Sequence, residues 1–181
     1  QILVWAYIVM GLGIVSVGKT FVSQSLGRKE YRECSAYAWQ SVYLGIAFGL
    51  IGLAFDPNFA TNHFIYVFAT VSASEQQILR YTDSNDQGSN RTLILGGLPT
   101  RGLNHDGGGL AFGPDGDLYF SIGDNGDAYV GVKNDLTSLA SKVGRVKTNG
   151  SAPNDNPFFD GAGPNNDFIW ARGFRNPYTI T

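Results

Sequence analysis

Histidine is the side chain whose ordinary pKa lies nearest neutrality. A carboxylate on one ring nitrogen fixes the tautomer and stabilises the imidazolium that forms when the other nitrogen takes a proton. The segment Asn104 to Asp127, NHDGGGLAFGPDGDLYFSIGDNGD, holds the parts of such a couple. Pro114-Asp115-Gly116 is a turn signal between two runs suited to strands, Leu110 to Phe112 and Leu118 to Ile122. In the hairpin this predicts, His105 lies ten residues before the central Asp115 and Asp124 nine after it, so paired arms bring both to the open end. There His105 suits a general base and Asp124 the group that orients it. The same residues admit a plainer reading, with His105 a loop residue and Asp124 the cap of the Gly123-Asp124-Asn125-Gly126 turn.

The elements that must position this pair are repeated. Gly52-Leu53-Ala54-Phe55-Asp56-Pro57 echoes Gly109-Leu110-Ala111-Phe112-Gly113-Pro114. An aromatic strand follows each, Ile65-Tyr66-Val67-Phe68 in the first copy and Leu118-Tyr119-Phe120 in the second. Ile78-Leu79-Arg80-Tyr81 corresponds to Val143-Gly144-Arg145-Val146, and Thr92-Leu93-Ile94-Leu95 supplies a fourth strand to the first copy. A four-stranded meander repeated every ~55 to 65 residues predicts blades of a β-propeller, with a sandwich as the alternative. In a propeller the loop entering each innermost strand lies at one mouth of the central channel, where His105 falls. Arg175-Asn176 precedes Tyr178-Thr179-Ile180 in the same way, at the expected start of a third blade. Arg175 there is either a binder of an anionic ligand through its fork of donors or a surface arginine paired with an acid.

Composition agrees with short strands and tight turns: 24 glycines and 13% aromatic residues point away from long helices, and the chain reads as mainly β from about residue 49. The 181 residues suffice for one medium domain. A formal charge of −2 without a basic block argues against nucleic-acid binding. Cys34 has no partner in the chain for a disulfide. The sequons at Asn90 and Asn149 lie in polar turns and are of a kind that chance supplies often.

Four segments, GLIGLAFDPNFATN (Gly49 to Asn62), NHDGGGLAFGPDGDLYFSIGDNGD, SLASKVGRVKTNGSAPNDNPF (Ser138 to Phe158) and IWARGFRNPYT (Ile169 to Thr179), together resemble the glucose/sorbosone dehydrogenase family, the soluble PQQ-dependent sugar dehydrogenases. The resemblance covers residues 49–181 and implies an all-β, six-bladed propeller, here truncated to about two to three blades. It implies oxidation of an aldose at its anomeric carbon to the lactone, with hydride passing to the quinone. By position, His105 resembles the family's base and Asp124 its orienting carboxylate, while Arg175 and Asn176 match the residues that hold PQQ. The amide side chain often found before the GLLG-type segment has no counterpart near Ala47. Calcium accompanies the cofactor in the family, with ligands expected beyond Thr181, so no metal residues are assigned. The resemblance further implies a sugar substrate, an external electron acceptor and a periplasmic or extracellular location. A non-catalytic propeller that binds a protein or glycan, as in hedgehog-interacting relatives, and an inactive fragment are the alternatives.

Residues 1–48 do not resemble the family's first blade and form a divergent apolar segment. Gln1 to Gly18 carries no charge, and neither does Cys34 to Phe55. The first stretch admits an export or membrane segment, so membrane contact is expected only through residues 1–18, or else buried or aberrant strands. Gly13 to Thr20 also satisfies the GxxxxGK[ST] pattern of a phosphate-binding loop, although its Ile14, Val15 and Val17 favour extended structure over a curved loop. Asp83 to Gly88 begins like an EF-hand loop, but Ile94 stands where the bidentate glutamate is required, which favours a polar turn. Asn154-Asp155-Asn156 and Gly123 to Asp127 offer oxygens to a cation, without a complete ligand set.

Overall fold

A strand that must shed water from both faces reads as a continuous apolar run, and Phe64-Ile65-Tyr66-Val67-Phe68-Ala69 is such a run. The computed structural model describes residue 28 and residues 50–84, 87–101, 105–126 and 130–180. In it this run forms most of β2 (Phe64–Ser72), with every residue from Ile65 to Ala69 buried. Tyr66 and Phe68 face one way, into a cluster with Ile78, Ile94 and Leu98. Ile65, Val67 and Ala69 face the other, against Leu53, Phe55, Phe59 and Tyr81.

The first sheet is an antiparallel meander in the order β1-β2-β3-β4, with β1 Leu50–Phe55, β3 Glu75–Ser84 and β4 Gln87–Pro99. A one-turn helix, α1 (Phe59–Asn62), joins β1 to β2. It follows an Asx turn in which the Asn58 N–H donates to Asp56 Oδ1 at 2.9 Å. Asp83 pairs with Gly88 and Ser84 with Gln87, which makes the EF-hand-like stretch a hairpin turn.

The second sheet repeats the plan in the order β5-β6-β7-β8, with β5 Leu110–Phe112, β6 Leu118–Ile122, β7 Lys142–Val146 and β8 Ile169–Arg172. Leu110 pairs with Phe120 and Phe112 with Leu118, so the hairpin is centred on Asp115 as the turn signal requires. A short helix, α2 (Val130–Asn134), precedes β7, and an irregular loop leads from β7 to β8. The fourth strand, β8, closes the blade with a segment that the repeat did not single out as a strand. Tyr178 to Ile180 forms no strand in the structure, contrary to the expectation of a third blade beginning there. The segment is nonetheless laid against the second sheet, because the Ser121 hydroxyl donates to the Pro177 carbonyl at 2.8 Å.

The two sheets share one core. Phe68 meets Phe120 edge-on at 6.1 Å between ring centroids, Tyr66 meets Phe112 at 5.1 Å, and the same cluster takes in Leu118, Ile122, Val146 and Ile169. Gly52 lies where the sheets approach most closely: a Cβ there would sit 2.7 Å from the Gly108 carbonyl oxygen, which is the physical reason for a glycine at the head of the repeated GLAF segment. Asn154-Asp155-Asn156, a possible source of cation ligands by composition, is committed elsewhere: Asp155 binds Arg145, and Asn156 Nδ2 donates to the carbonyls of Arg145 and Asp167. The expectations placed on residues 1–48, including the apolar stretches, Cys34 and the 13–20 loop motif, lie outside the described residues apart from Arg28.

Candidate active site

The hairpin carries its register past the strands to the mouth. Ser121 N–H donates to the Gly109 carbonyl, and four residues further out Asn125 N–H donates to the His105 carbonyl at 3.3 Å. The main-chain partner of His105 is therefore Asn125, and the side-chain partner is the adjacent Asp124: Nδ1 lies 2.5 Å from Asp124 Oδ1. Asp124 is almost wholly buried, with 2% of its side chain exposed, whereas the imidazole keeps 27%. Burial works to raise the Asp124 pKa, but the hydrogen bond from His105, that from the Gly126 N–H and the positive charges of His105 and Arg175 overcome it and hold the carboxyl below its ordinary range. An ionised carboxylate only accepts, so Nδ1 carries the proton and donates. In the neutral ring Nε2 is then the acceptor, and it has no hydrogen bond among the described residues. The plainer reading of Asp124 holds at the same time, since Oδ1 also accepts from Gly126 N–H at 3.0 Å and so caps the turn.

His105 adopts φ 58°, in the left-handed region, and Asn125 opposite adopts φ 54°. A residue with a β-carbon stays there only where its surroundings over-determine it. Part of that constraint is Gly123: a Cβ on it would collide with the His105 carbonyl oxygen and would lie 2.8 Å from that of Arg175. The absence of a side chain lets three segments converge.

The third segment is the one that carries Arg175 and Asn176. The Arg175 carbonyl accepts from Asp124 N–H at 2.8 Å, so the two candidate residues are joined through their main chains. Arg175 is exposed and acts on Asp124 through its charge. Asn176 is half-buried, and its Oδ1 is a buried acceptor with no hydrogen bond among the described residues. All four candidate residues therefore fall in one patch at the mouth of the second sheet.

Sequence reasoning missed the residues that fasten this patch. Ser121 Oγ accepts from Gly109 N–H at 2.9 Å and donates to the Pro177 carbonyl, pinning the segment after Arg175 to the hairpin. Ser141, buried and at φ 64°, donates its N–H to Gly123 at 2.8 Å and accepts at its carbonyl from Gly173 and Phe174 at 3.0 and 3.3 Å. It couples the Asp124 turn to the segment leading into Arg175. Next to it Lys142, fully buried, donates Nζ to the carbonyls of Val132 and Ala140 at 2.9 and 2.8 Å and so ties α2 to β7. Burial pushes the Lys142 pKa down. The sequence signal was slight: only Ser121 lies in a predicted strand, while Ser141 and Lys142 precede the Val143 to Val146 run.

Four-stranded meanders repeated as two stacked sheets, with the mouth of the second bearing a histidine–aspartate pair, define consecutive blades of a β-propeller. The family model described as Glucose / Sorbosone dehydrogenase matches residues 20–181. Quinoprotein glucose dehydrogenase B of Acinetobacter calcoaceticus is 33% identical over 157 residues, covering 71% of this chain and 32% of its own length. Among solved structures, the PQQ-bound aldose sugar dehydrogenase of Streptomyces coelicolor superposes with a TM-score of 0.61 at 33% identity, over 72% of this chain and 37% of that one. The apo-form of the soluble aldose sugar dehydrogenase of Escherichia coli superposes with a TM-score of 0.63 at 25% identity, over 71% and 38%. The chain belongs to the glucose/sorbosone dehydrogenase family. It spans about a third of the length of these relatives.

Proposed function

We propose that this chain contributes the proton-transfer and part of the cofactor-binding machinery of a PQQ-dependent aldose dehydrogenase, which oxidises a sugar at its anomeric carbon to the lactone. The observation that carries the reading is the His105–Asp124 pair, with Nδ1 engaged and Nε2 left as an acceptor, on a turn whose Asp124 N–H is bonded to the Arg175 carbonyl. His105 Nε2 takes the proton of the anomeric hydroxyl as that carbon is oxidised. Asp124, ionised and buried, stabilises the imidazolium so formed and keeps the ring from turning. The pair supports an enzyme over a propeller that only binds, since binding alone needs no oriented base.

Pyrroloquinoline quinone, when bound, supplies the two-electron hydride acceptor. The residues present suit it. Its carboxylates and quinone oxygens are acceptors that call for N–H donors, which Arg175 and the Asn176 amide offer, and Asn176 Oδ1 is a buried acceptor without a hydrogen bond among the described residues. Arg175 adds a fixed positive charge where negative charge develops. Among the described residues no group of three or more His, Cys, Asp and Glu side chains is placed to hold a metal ion. An external electron acceptor completes the cycle. A periplasmic or extracellular site follows by analogy with the soluble relative, and no helix among the described residues is long and apolar enough to cross a membrane.

The test is reconstitution of the chain with PQQ and calcium, followed by dye-linked oxidation of a panel of aldoses. His105→Ala is expected to lower turnover by about two orders of magnitude or more while leaving cofactor affinity nearly unchanged. Equal turnover in the mutant would remove His105 from the role of base. A folded chain that binds no PQQ would remove the assignment of Arg175 and Asn176.

A further inference from the structure

Three contacts cross from the first blade to the site loops of the second, and two of them fall on Asp106, the neighbour of His105. Thr100, just past β4 and 5% exposed, donates its hydroxyl to Asp106 Oδ1 at 2.7 Å. Gln76, fully buried near the start of β3, donates Nε2 to the Asp106 carbonyl at 3.3 Å and to Thr70 Oγ1 at 3.4 Å. The third contact runs from Asn125 Nδ2 to the Pro99 carbonyl at 3.3 Å, on the residue that bonds the His105 carbonyl. The amide orientation of Gln76 follows from its partner, because a carbonyl oxygen demands the NH₂ end. Its Oε1 is then buried without a hydrogen bond among the described residues. A glutamine in a slot of β3 that otherwise alternates into the core costs stability unless it fixes something.

What it fixes is the C-terminal side of a residue in an unfavourable conformation. The His105 carbonyl is held by Asn125, and beyond Asp106 the Gly108 N–H is bonded to Ser121. Between these, among the described residues, the side chains that grip the peptide setting the direction of the imidazole come from the first blade. We propose that Asp106 is a positioning residue: gripped by Thr100 at its carboxylate and by Gln76 at its carbonyl, it holds the left-handed His105 so that Nδ1 meets Asp124. Its importance for turnover rests on the reading of His105 as the base, but its geometric content does not. Burial raises the Asp106 pKa against the Thr100 hydrogen bond, as expected of a carboxyl kept out of water for its shape rather than its charge.

The chain holds two histidines, His63 and His105, so ¹⁵N-histidine labelling gives a spectrum simple enough to follow the Nδ1 proton that His105 donates to Asp124, without any cofactor. His105→Gln assigns it by its loss. In Thr100→Val, which keeps the shape and removes the donor, the proton is expected to shift upfield and exchange with water at least tenfold faster, while the backbone amide spectrum stays that of the folded chain. Thr100→Ser is expected to restore it. If Thr100→Val does not fold, Asp106→Ala on its half-buried loop carries the same expectation, and Asp106→Asn, which keeps an acceptor for Thr100, is expected to preserve the signal. An unmoved His105 proton in folded Thr100→Val or Asp106→Ala overturns the proposal. Lack of sugar oxidation by the unaltered reconstituted chain counts against the functional reading alone, because the proton signal is read without cofactor or substrate.

Discussion

The two blades are built alike at one end and differently at the other. In the first, Tyr66 of β2 pairs with Arg80 of β3; in the second, Tyr119 of β6 pairs with Arg145 of β7. Each tyrosine hydroxyl donates to an aspartate of the preceding connection, Asp56 at 3.3 Å and Asp115 at 2.8 Å. Arg80 sits over the Phe64 ring at 4.2 Å, and Arg145 lies near both Tyr119 and Trp170, at 5.9 and 5.1 Å. At the mouth the likeness ends. Leu53 pairs with Val67 as Leu110 pairs with Phe120, and four residues past Val67 stands Val71, where four past Phe120 stands Asp124. The shared end is scaffold, repeated because packing requires it. The proposed chemistry belongs to the other end of one copy, and the first blade reaches that end through Gln76 and Thr100.

The largest effects are expected at the shared core. Phe120→Ala and Phe68→Ala, in contact across the blades, are each expected to cost about 3 to 5 kcal/mol, and urea unfolding should remain a single transition in both. Two separate transitions would show that the blades fold independently. Next comes the arginine pair. Arg145 is 7% exposed and bonds Asp115, Asp117 and Asp155, each at 2.9 Å, so Arg145→Met is expected to cost roughly 3 kcal/mol by stranding carboxylates. Arg80→Met, which removes mainly a stacking contact, is expected to cost about 1 kcal/mol or less. Equal losses in urea titrations would deny the second blade its distinct anchor.

The dependence on pH draws on both blades, since hydrogen bonds from Gln77 and the Gly97 N–H lower the Glu75 pKa in the first, and the second adds Asp115 and Asp124. Burial tends to raise the Asp115 pKa, but the Tyr119 hydroxyl, the Asp117 N–H and Arg145 outweigh it and leave it lowered. Asp124 is lowered for the reasons given above. A carboxyl with a depressed folded pKa adds stability that is present above its unfolded value, near 4, and lost as pH falls through the folded one. The chain is therefore expected to lose stability on acidification below about pH 4, and Arg145→Met should flatten that limb by removing part of the Asp115 contribution. Tyr119 moves the other way, its pKa pushed up to about 12 by burial and by its bond to Asp115. The smallest effect is expected at Val71, 42% exposed at the first mouth, where Val71→Asp should change stability by no more than about 0.5 kcal/mol in the same titration. A larger loss would mean that this end of β2 is packed against further elements.

What could be read from the sequence was local. The Pro114-Asp115-Gly116 turn set the hairpin register, and that register carried His105 to the end of the hairpin where Asp124 and Asn125 lie. The glycine-led repeat revealed the two meanders because Gly52 and Gly109 answer the same close approach. The braces were illegible because each joins residues distant along the chain: Gln76 reaches Asp106 across 30 positions, and Ser121 reaches Pro177 across 56. No periodicity links such residues, and a buried glutamine on an apolar strand face signals constraint without naming its partner. The short strand β8 was missed for a related reason, since its four residues alternate too briefly to show a period.

The clip at Ser141 bears on how this site can evolve. Its left-handed main chain fastens the turn bearing Asp124 to the approach to Arg175 by three backbone hydrogen bonds, beside the direct bond from Asp124 N–H to the Arg175 carbonyl. Exposed residues of the neighbouring loops that take no part in the clip or the core can change composition without altering it. A lineage could remodel the surface around this patch residue by residue while the turn and the Arg175 segment stay fastened to each other.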